Sequence, residues 1–351
     1  MPTATLRQAT ALLAFVVLFA ASSPLAARNV TDSAGRTVEI PDKIERVFAA
    51  GPPASVLLYV LKPEVLTGWP RALYPEEIDY IAPAFRDLPE TGRLTGRGGE
   101  ANLEVVLTQQ PDLILDFGSV RDTYISLADR VQEQTRIPYL LIDGRFENTA
   151  VALRLVGAVL GVEERAEKLA TYVEQRFAEI DKVLAGIPED KRPRVYLARQ
   201  PDGLETGLKG SINTEIIERA GGRNVAEAPG QYGLVRASIE QVIVADPEIV
   251  VTWDRHFYEA VWNDPLWAGI EAVRDSRVYL SPTAPFGWID RPPSINRMMG
   301  LVWMAGIFYP ERLGGDLREK TRAFYRLFYH VELGEAELNR LIQWASGKAP
   351  R

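Results

Sequence analysis

Two separate stretches of the chain carry the same pattern of helix, proline and strand. ANLEVVLTQQPDLILDFG occupies residues 101–118, and ASIEQVIVADPEIVVTWD occupies residues 237–254. In each stretch an apolar helical spacing ends at a proline, and a short apolar run typical of a buried strand follows. Aligned without a gap, the stretches match Ala101 with Ala237, Glu104 with Glu240, Val106 with Val242, and Pro111 with Pro247.

This repeat predicts two similar α/β lobes. Further strand-like runs agree with it: IERVFAAG (44–51) is similar to RPRVYLARQ (192–200), and IPYLLID (137–143) is similar to SRVYLSP (276–282). Any α/β unit alternates helix and strand, so ordinary alternation is the other explanation of the match. The glutamate shared at the same phase favours duplication.

A stiff helical segment is predicted between the lobes, at residues 147–187. Leu153 and Val156 begin an apolar stripe, a break follows at Gly161, and Leu169 and Val173 continue the stripe into a second helix. A flexible linker is rich in Gly, Ser or Pro, which this segment is not. The predicted organisation is a signal peptide (1–27), an N-terminal lobe (28–146), the bridging segment (147–187) and a C-terminal lobe with C-terminal helices (188–351).

The first 27 residues have the features of a secretory signal peptide. Arg7 precedes the uncharged run 11–21, which is too short to span a bilayer, and small residues follow up to Ala27. A buried N-terminal helix is the alternative. Because the chain contains no cysteine, it has neither a disulfide nor a lipid-modified cysteine. These features predict a freely soluble periplasmic protein.

Composition excludes several classes of function. A net charge of −7 argues against nucleic acid or an anionic membrane surface as partner. His256 and His330 are the only histidines, so a bare transition-metal site is poorly supplied with ligands. The chain has no GxSxG, HExxH or Walker motif, so an enzyme, the alternative class, lacks recognisable machinery. We expect no cofactor, no catalytic residue and a monomer.

The residues resemble one known family. TDSAGRTVEIP near the start, NLEVVLTQQPDLIL in the first half, the bridging segment and SIEQVIVADPEIVV in the second half are similar to periplasmic binding proteins of ABC importers for iron complexes, haem and vitamin B12. The resemblance implies two Rossmann-like lobes joined by a long rigid helix, with the ligand in the cleft between them. It also implies that Glu104 and Glu240 dock onto arginines of the membrane permease. Solvated helix residues are the alternative for both glutamates.

In this topology, ligand residues lie on loops after the strands. Arginine suits carboxylate, catecholate or phosphate oxygens, and aromatic rings suit flat chelators. A ferric siderophore is therefore the first expectation; molybdate or tungstate, and a corrinoid or haem, stay open. Helix starts at Gly51–Ser55 and at the RPPS turn are possible oxyanion sites. The candidate ligand-binding residues are Pro53, Trp69, Arg71, Arg93, Arg97, Arg199, Tyr232, Trp253, Arg255, Trp288 and Arg291.

One loop, PFGWIDRPPSINR at 285–297, combines several of these features. It lies between a predicted strand and an apolar helix, which places it at the cleft mouth of the C-terminal lobe. We interpret Trp288 and Arg291 as ligand contacts. Asp290 is interpreted as a helix cap or an arginine partner, and Ser294 as an alternative cap.

Overall fold

The chain folds into two α/β lobes joined by a pair of helices. The computed structural model describes residues 27–96, 103–228, 230–343 and 345. Its strands are β1 Ala27–Thr31, β2 Thr37–Pro41, β3 Val47–Ala49, β4 Leu113–Gly118, β5 Tyr139–Asp143, β6 Arg194–Ala198, β7 Glu205–Gly207, β8 Arg223–Asn224, β9 Leu234–Arg236, β10 Ile249–Thr252 and β11 Val278–Leu280. Its α-helices are α1 Pro52–Leu61, α2 Pro75–Ile78, α3 Leu103–Gln109, α4 Asp122–Thr135, α5 Thr149–Leu160, α6 Glu163–Leu184, α7 Glu215–Arg219, α8 Ile239–Ala245, α9 Arg255–Ala260, α10 Glu271–Arg274, α11 Arg297–Phe308, α12 Leu317–Tyr329 and α13 Glu335–Ile342.

The N-terminal lobe is built on a parallel sheet in the order β3-β4-β5. Val47 of β3 aligns with Leu113 of β4, and Ile114 of β4 aligns with Tyr139 of β5. These strands are almost wholly buried because helices cover the sheet, which explains their continuous apolar runs. Before this sheet, β1 and β2 pair as an antiparallel hairpin.

The C-terminal lobe repeats this arrangement in the order β11-β10-β6-β8. Its central strand β10 is parallel to both β6 and β11, as β4 is parallel to β3 and β5. The three strand pairs matched in the sequence therefore occupy equivalent places in the two sheets. The prediction of two related α/β lobes is confirmed.

The repeated helix ends also match in backbone conformation. Gln110, after α3, has φ +47°, and Asp246, after α8, has φ +38°. Each of these residues directly precedes the repeated proline, Pro111 or Pro247, which cannot continue a helix. The proline thus sets the end of the helix and the start of the turn into the central strand in both lobes.

The lobes are connected by α5 and α6, which pack against each other. Gly161 ends α5 with φ +66°, at the break that the sequence predicts. A Cβ atom at Gly157 would overlap the Cβ of Ala166, so glycine there permits the close approach of the two helices. At 22 residues, α6 is about 33 Å long and gives the connection its stiffness.

One apolar core runs from α1 through α5 and α6 to α11 and α12, so both lobes and the bridge share it. Phe324 and Phe328, four residues apart on one side of α12, are fully buried in this core. In the residues described, no helix combines the length and the apolar character needed to cross a membrane. The predicted signal peptide lies outside the described residues, except for Ala27.

Candidate functional site

Loops of both lobes meet at the carboxyl ends of the two parallel sheets. In the N-terminal lobe, the amides of Leu94 and Thr95 donate to the carbonyl of Ala50 at 2.6 and 2.9 Å, which fixes the loop 92–96 at the end of β3. In the C-terminal lobe, the loop 281–296 follows β11, and the amide of its first residue, Ser281, donates to the carbonyl of Thr252 at the end of β10, at 2.7 Å. Ligands of open α/β folds bind at this edge.

A buried arginine ties the two lobes together. Arg297, the first residue of α11, is fully buried. Its guanidinium donates to the carbonyl of Gly144 at 2.8 Å and to Glu215 Oε1 at 2.8 Å. The same Glu215 oxygen accepts the amide of Phe146 at 2.7 Å. Arg297, Glu215, Gly144 and Phe146 form the interlobe network, which limits movement of one lobe against the other.

Two more contacts cross between the lobes. The Ser294 hydroxyl donates to the carbonyl of Pro53 at 2.7 Å, so the half-buried Pro53 faces the 281–296 loop. The Arg121 guanidinium lies over the Tyr232 ring, 4.0 Å from its centroid. Arg121 directly precedes α4 and Tyr232 lies in the loop between β8 and β9, so this cation–π pair joins ligand-edge loops of opposite lobes.

The structure brings several predicted residues together in the C-terminal lobe. Trp253 has the guanidinium of Arg291 at 4.7 Å and that of Arg199 at 5.6 Å from its ring. Arg199 is buried and pairs with Asp290 and with Glu205. We call Arg199, Trp253, Asp290 and Arg291 the C-lobe cluster. The prediction that Asp290 is an arginine partner is confirmed. The Arg199 guanidinium is neutralised by two carboxylates of the protein, those of Asp290 and Glu205.

Within this cluster, Arg291 is the exposed cation. Its φ of +72° is uncommon for a residue other than glycine, and its amide donates to Asp290 Oδ1 at 2.8 Å. Among the described residues no carboxylate pairs with the guanidinium of Arg291 or with that of Arg121. Within the same part of the chain, the indole N–H of Trp253 is buried without a hydrogen-bond partner. The Arg121 Nε also donates to the Ser119 hydroxyl at 3.3 Å. Of these three groups only the Trp253 N–H is buried, and a buried donor without a partner is uncommon in folded proteins.

Two predicted ligand contacts are wrong because their side chains belong to the core. Trp288 is fully buried, and its indole N–H donates to the Tyr325 hydroxyl at 3.1 Å. A Cβ atom at Gly300 would overlap the Trp288 carbonyl oxygen, so the loop packs directly on α11. Trp69 is 2% exposed and donates to the carbonyl of Phe85 at 2.8 Å. Neither ring offers surface to a ligand.

The other candidates lie on the surface or near it. Arg71 is exposed, but its guanidinium forms an ion pair with Glu77 at 2.6 Å and a cation–π contact with the Tyr74 ring. Arg93 is half-buried in the 92–96 loop, and Arg255 is exposed at the start of α9. Arg97 lies outside the described residues.

The two backbone oxyanion sites that the sequence suggests are not formed as expected. At the start of α1, Pro52 and Pro53 have no N–H, and the amides of Ala54 and Ser55 both donate to the carbonyl of Gly51. The RPPS turn is not a helix start, because α11 begins only at Arg297.

The predicted caps of α11 are also wrong. This helix begins at Arg297 after Asn296, and the Ser294 hydroxyl is bound to Pro53.

A buried carboxyl lies beneath the N-terminal ligand loops. Asp116 of β4 is 4% exposed and accepts hydrogen bonds from the Thr95 hydroxyl at 3.2 Å and the Tyr139 hydroxyl at 3.3 Å. Burial raises the pKa of Asp116 to about 6, because these two donors only partly replace the water that the carboxylate has lost. Asp116 therefore changes charge within the mildly acidic range.

We expect Asp116→Asn to stabilise the protein above about pH 6 and to have little effect near pH 4. Because the folded-state pKa is raised, the wild type loses stability as pH rises from about 4 through 6, by on the order of 3 kcal/mol. Urea denaturation at several pH values measures the difference. A variant no more stable than the wild type at neutral pH would contradict the assigned ionisation.

Asp143→Asn is the matched control, because the pKa of Asp143 is shifted in the opposite direction to that of Asp116. Burial alone would raise the pKa of Asp143, but hydrogen bonds from Arg145 and Asn148 lower it below its ordinary value. Its contribution to stability is present above the unfolded-state pKa and is lost as pH falls through the folded-state pKa. The Asp143→Asn variant should therefore lose stability at neutral pH and approach the wild type in acid.

The two repeated glutamates lie on equivalent helices. Glu104 is in the first turn of α3 and Glu240 in the first turn of α8, and both are exposed. A hydrogen bond with Ser238 lowers the pKa of Glu240, so its carboxylate is charged at neutral pH. Short turns join α3 to β4 and α8 to β10, so the helices run back along the sheets and their first turns lie toward the ligand edge.

Sequence reasoning missed several residues that shape this site. Arg121 lies three residues after the end of β4, and the rule that ligand residues follow the strands could have included it. The sequence places Arg297 only at the end of the loop 285–297, with no predicted role, and its partner Glu215 is too distant in sequence for any local spacing to connect them. Asn213, whose amide donates to Asp290 at 3.0 Å, was also missed. In the described ranges, no group of three or more acidic or histidine side chains is arranged to hold a metal ion.

Comparison with known proteins agrees with this architecture. The sequence profile described as periplasmic binding protein matches residues 64–285. An ABC transporter solute binding protein from Sulfurospirillum deleyianum has a solved structure with a TM-score of 0.81 and 31% identity, covering 90% of this chain and 99% of that one. The molybdate-binding protein MolA of Haemophilus influenzae is 26% identical over 334 residues, covering 88% of this chain and 93% of MolA. The ferric enterobactin-binding periplasmic protein FepB of Escherichia coli is 22% identical over 199 residues, covering 54% of this chain and 62% of FepB. The chain therefore belongs to the periplasmic binding protein family, the solute-binding proteins of ABC importers.

Proposed function

We propose that this protein binds a compact oxyanion of the molybdate type between its lobes and delivers it to an ABC permease. The observation that carries this proposal is the contact between Arg121 and Tyr232. At 4.0 Å it joins the ligand-edge loops of opposite lobes. A small anion needs less separation of these two loops than a bulky chelate does, so a closed contact at this edge favours the smaller ligand.

The charges at this edge suit an oxyanion. Arg121 and Arg291 present guanidinium groups from opposite lobes, and neither has a carboxylate partner in the described part of the chain. Guanidinium binds oxyanions through two parallel N–H donors, so both side chains suit this kind of ligand. The Arg199 charge is already matched by Asp290 and Glu205, so Arg199 is assigned to positioning Trp253 and the 281–296 loop.

The relatives support the same ligand. MolA, which is named for molybdate binding, matches over 93% of its length. FepB, which is named for ferric enterobactin binding, matches over 62% of its length. A ferric siderophore is the second candidate, because Tyr232 is 48% exposed and, with the nearby arginines, suits a flat anionic chelate.

A titration panel tests the ligand. The purified protein is titrated with molybdate, tungstate, sulfate, ferric enterobactin, cobalamin and haem, and the heat of binding and tryptophan fluorescence are recorded. We expect saturable one-to-one binding of molybdate and no turnover. Saturation by ferric enterobactin with none by molybdate would replace the oxyanion with the second candidate. If no compound binds, the carrier proposal is wrong.

Delivery requires docking, and we assign this to Glu104 and Glu240. We expect the double variant Glu104→Arg/Glu240→Arg to lose most uptake in cells and to bind ligand as the wild type does. Two separated charges fix the orientation of docking, while each exposed ion pair contributes only about 0–1 kcal/mol. Glu259→Arg/Glu311→Arg, which alters exposed acids of α9 and of the segment after α11, is the control. Unchanged uptake in the first variant would remove the docking assignment.

Export is part of the same proposal. Residues 1–27 are proposed to direct secretion and to be removed, so that the mature protein is soluble in the periplasm. N-terminal sequencing of the protein recovered from the periplasmic fraction should begin at Arg28. Recovery of the uncleaved chain in the membrane fraction would contradict the assignment.

A further inference from the structure

The repeated helices carry exposed apolar side chains at matching positions. Leu107, one turn after Glu104 in α3, is 48% exposed, and Ile243, one turn after Glu240 in α8, is 47% exposed. The two residues occupy the same position in the repeat. Val244, which follows Ile243, is 86% exposed. Both lobes thus display a carboxylate and an apolar side chain three residues apart.

Packing within each lobe does not account for these side chains. The inner faces of α3 and α8 are formed by Val106 and Val242, which are 0% and 1% exposed. Residues three apart lie on the same side of a helix, so Leu107 lies beside Glu104 and Ile243 beside Glu240. A single exposed hydrophobic side chain is ordinary, but exposure at equivalent places in two lobes fits a partner that contacts both lobes in the same way.

We propose that Leu107, Ile243 and Val244 are apolar docking contacts for the permease of the importer. This inference rests on the proposed delivery role of the protein. On this proposal, the permease has two matching docking sites, and each consists of a basic side chain beside an apolar depression. The basic groups face Glu104 and Glu240, and the depressions receive Leu107 on one side and Ile243 with Val244 on the other.

The two kinds of contact have different parts in docking. Exposed charges attract and orient the partner, and salt screens them. Apolar side chains contribute to affinity in proportion to the area that they bury, and salt does not weaken this contribution. The apolar contacts should therefore dominate the lifetime of the complex, and the glutamates should dominate its rate of formation.

The test is a docking measurement with the cognate permease in lipid nanodiscs. Biolayer interferometry compares the wild type, Leu107→Ser/Ile243→Ser, and the control Val151→Ser/Leu266→Ser, each in the presence of sodium molybdate. Val151 and Leu266 are 63% and 58% exposed and lie outside α3 and α8. We expect the first variant to dissociate about tenfold faster or more, and the control to behave as the wild type.

The outcomes separate this inference from the function on which it rests. If Glu104→Arg/Glu240→Arg abolishes docking while Leu107→Ser/Ile243→Ser leaves it unchanged, the apolar contacts are wrong and delivery stands. If the wild type itself does not dock, both proposals fail. Circular dichroism and molybdate titration of every variant exclude misfolding as the cause of a loss.

Discussion

Arg297→Met should lower the free energy of unfolding by about 3–5 kcal/mol, the range found when one partner of a buried ion pair is removed. The guanidinium is fully buried, and methionine of similar length cannot replace its bonds to Gly144, Ile212 and Glu215. Burial already raises the pKa of Glu215, and loss of the cation leaves that carboxyl without its main compensation. Urea denaturation followed by circular dichroism measures the loss.

Two further variants show whether the interlobe network is responsible. Arg154 is a half-buried arginine of α5 that pairs with the exposed Glu167 and Glu174, so Arg154→Met should cost no more than about 1 kcal/mol. Arg297→Met combined with Glu215→Gln should be less destabilised than Arg297→Met alone, because no uncompensated charge stays buried. A loss below about 1 kcal/mol for Arg297→Met would show that the network does not join the lobes.

Arg291→Gln should weaken molybdate binding about 10- to 100-fold and leave the free energy of unfolding nearly unchanged. A charge-assisted hydrogen bond contributes about 1.5–3 kcal/mol, and each 1.4 kcal/mol corresponds to tenfold in affinity. Arg291 is exposed, and in the described residues it has no carboxylate partner that its removal would leave unpaired. Arg121→Gln should act in the same direction from the other lobe.

The matched control for these binding experiments is Arg145→Gln. Arg145 is exposed and lies two residues after β5, at the carboxyl end of the N-terminal sheet. Its guanidinium forms an ion pair with Asp143 at 2.6 Å. Its replacement should change molybdate affinity by less than about threefold, because a paired charge contributes little to the field at the site. Equal losses in Arg145→Gln and Arg291→Gln would point to general electrostatic attraction and would contradict direct contact.

Sequence alone could predict the framework because its signals are local or repeated. Buried parallel strands require continuous apolar runs, and Pro111 and Pro247 end their helices for a steric reason that acts within a few residues. The bridging segment likewise shows its helices through spacing and its break through Gly161. The strands, the helix ends and the break between the helices each depend on residues that are close in the chain, so a single sequence is enough to predict them.

The site was less predictable because it depends on side-chain direction and on distant partners. Trp288 and Arg291 lie three residues apart in one loop, yet the first enters the core and the second reaches solvent. That difference follows from the missing side chain of Gly300 and from the Tyr325 hydroxyl, which no spacing within the loop reveals. Arg297 and Glu215 likewise come from different elements, and only the fold shows that each needs the other.

A crystal structure grown with molybdate tests the central claim most directly, because anomalous scattering from molybdenum locates the ion. We predict one strong peak between the lobes, within hydrogen-bonding reach of Arg291. A peak elsewhere on the surface would contradict the proposed site. Crystals that show no peak with molybdate, but contain ferric enterobactin between the lobes when grown with that compound, would contradict the proposed ligand.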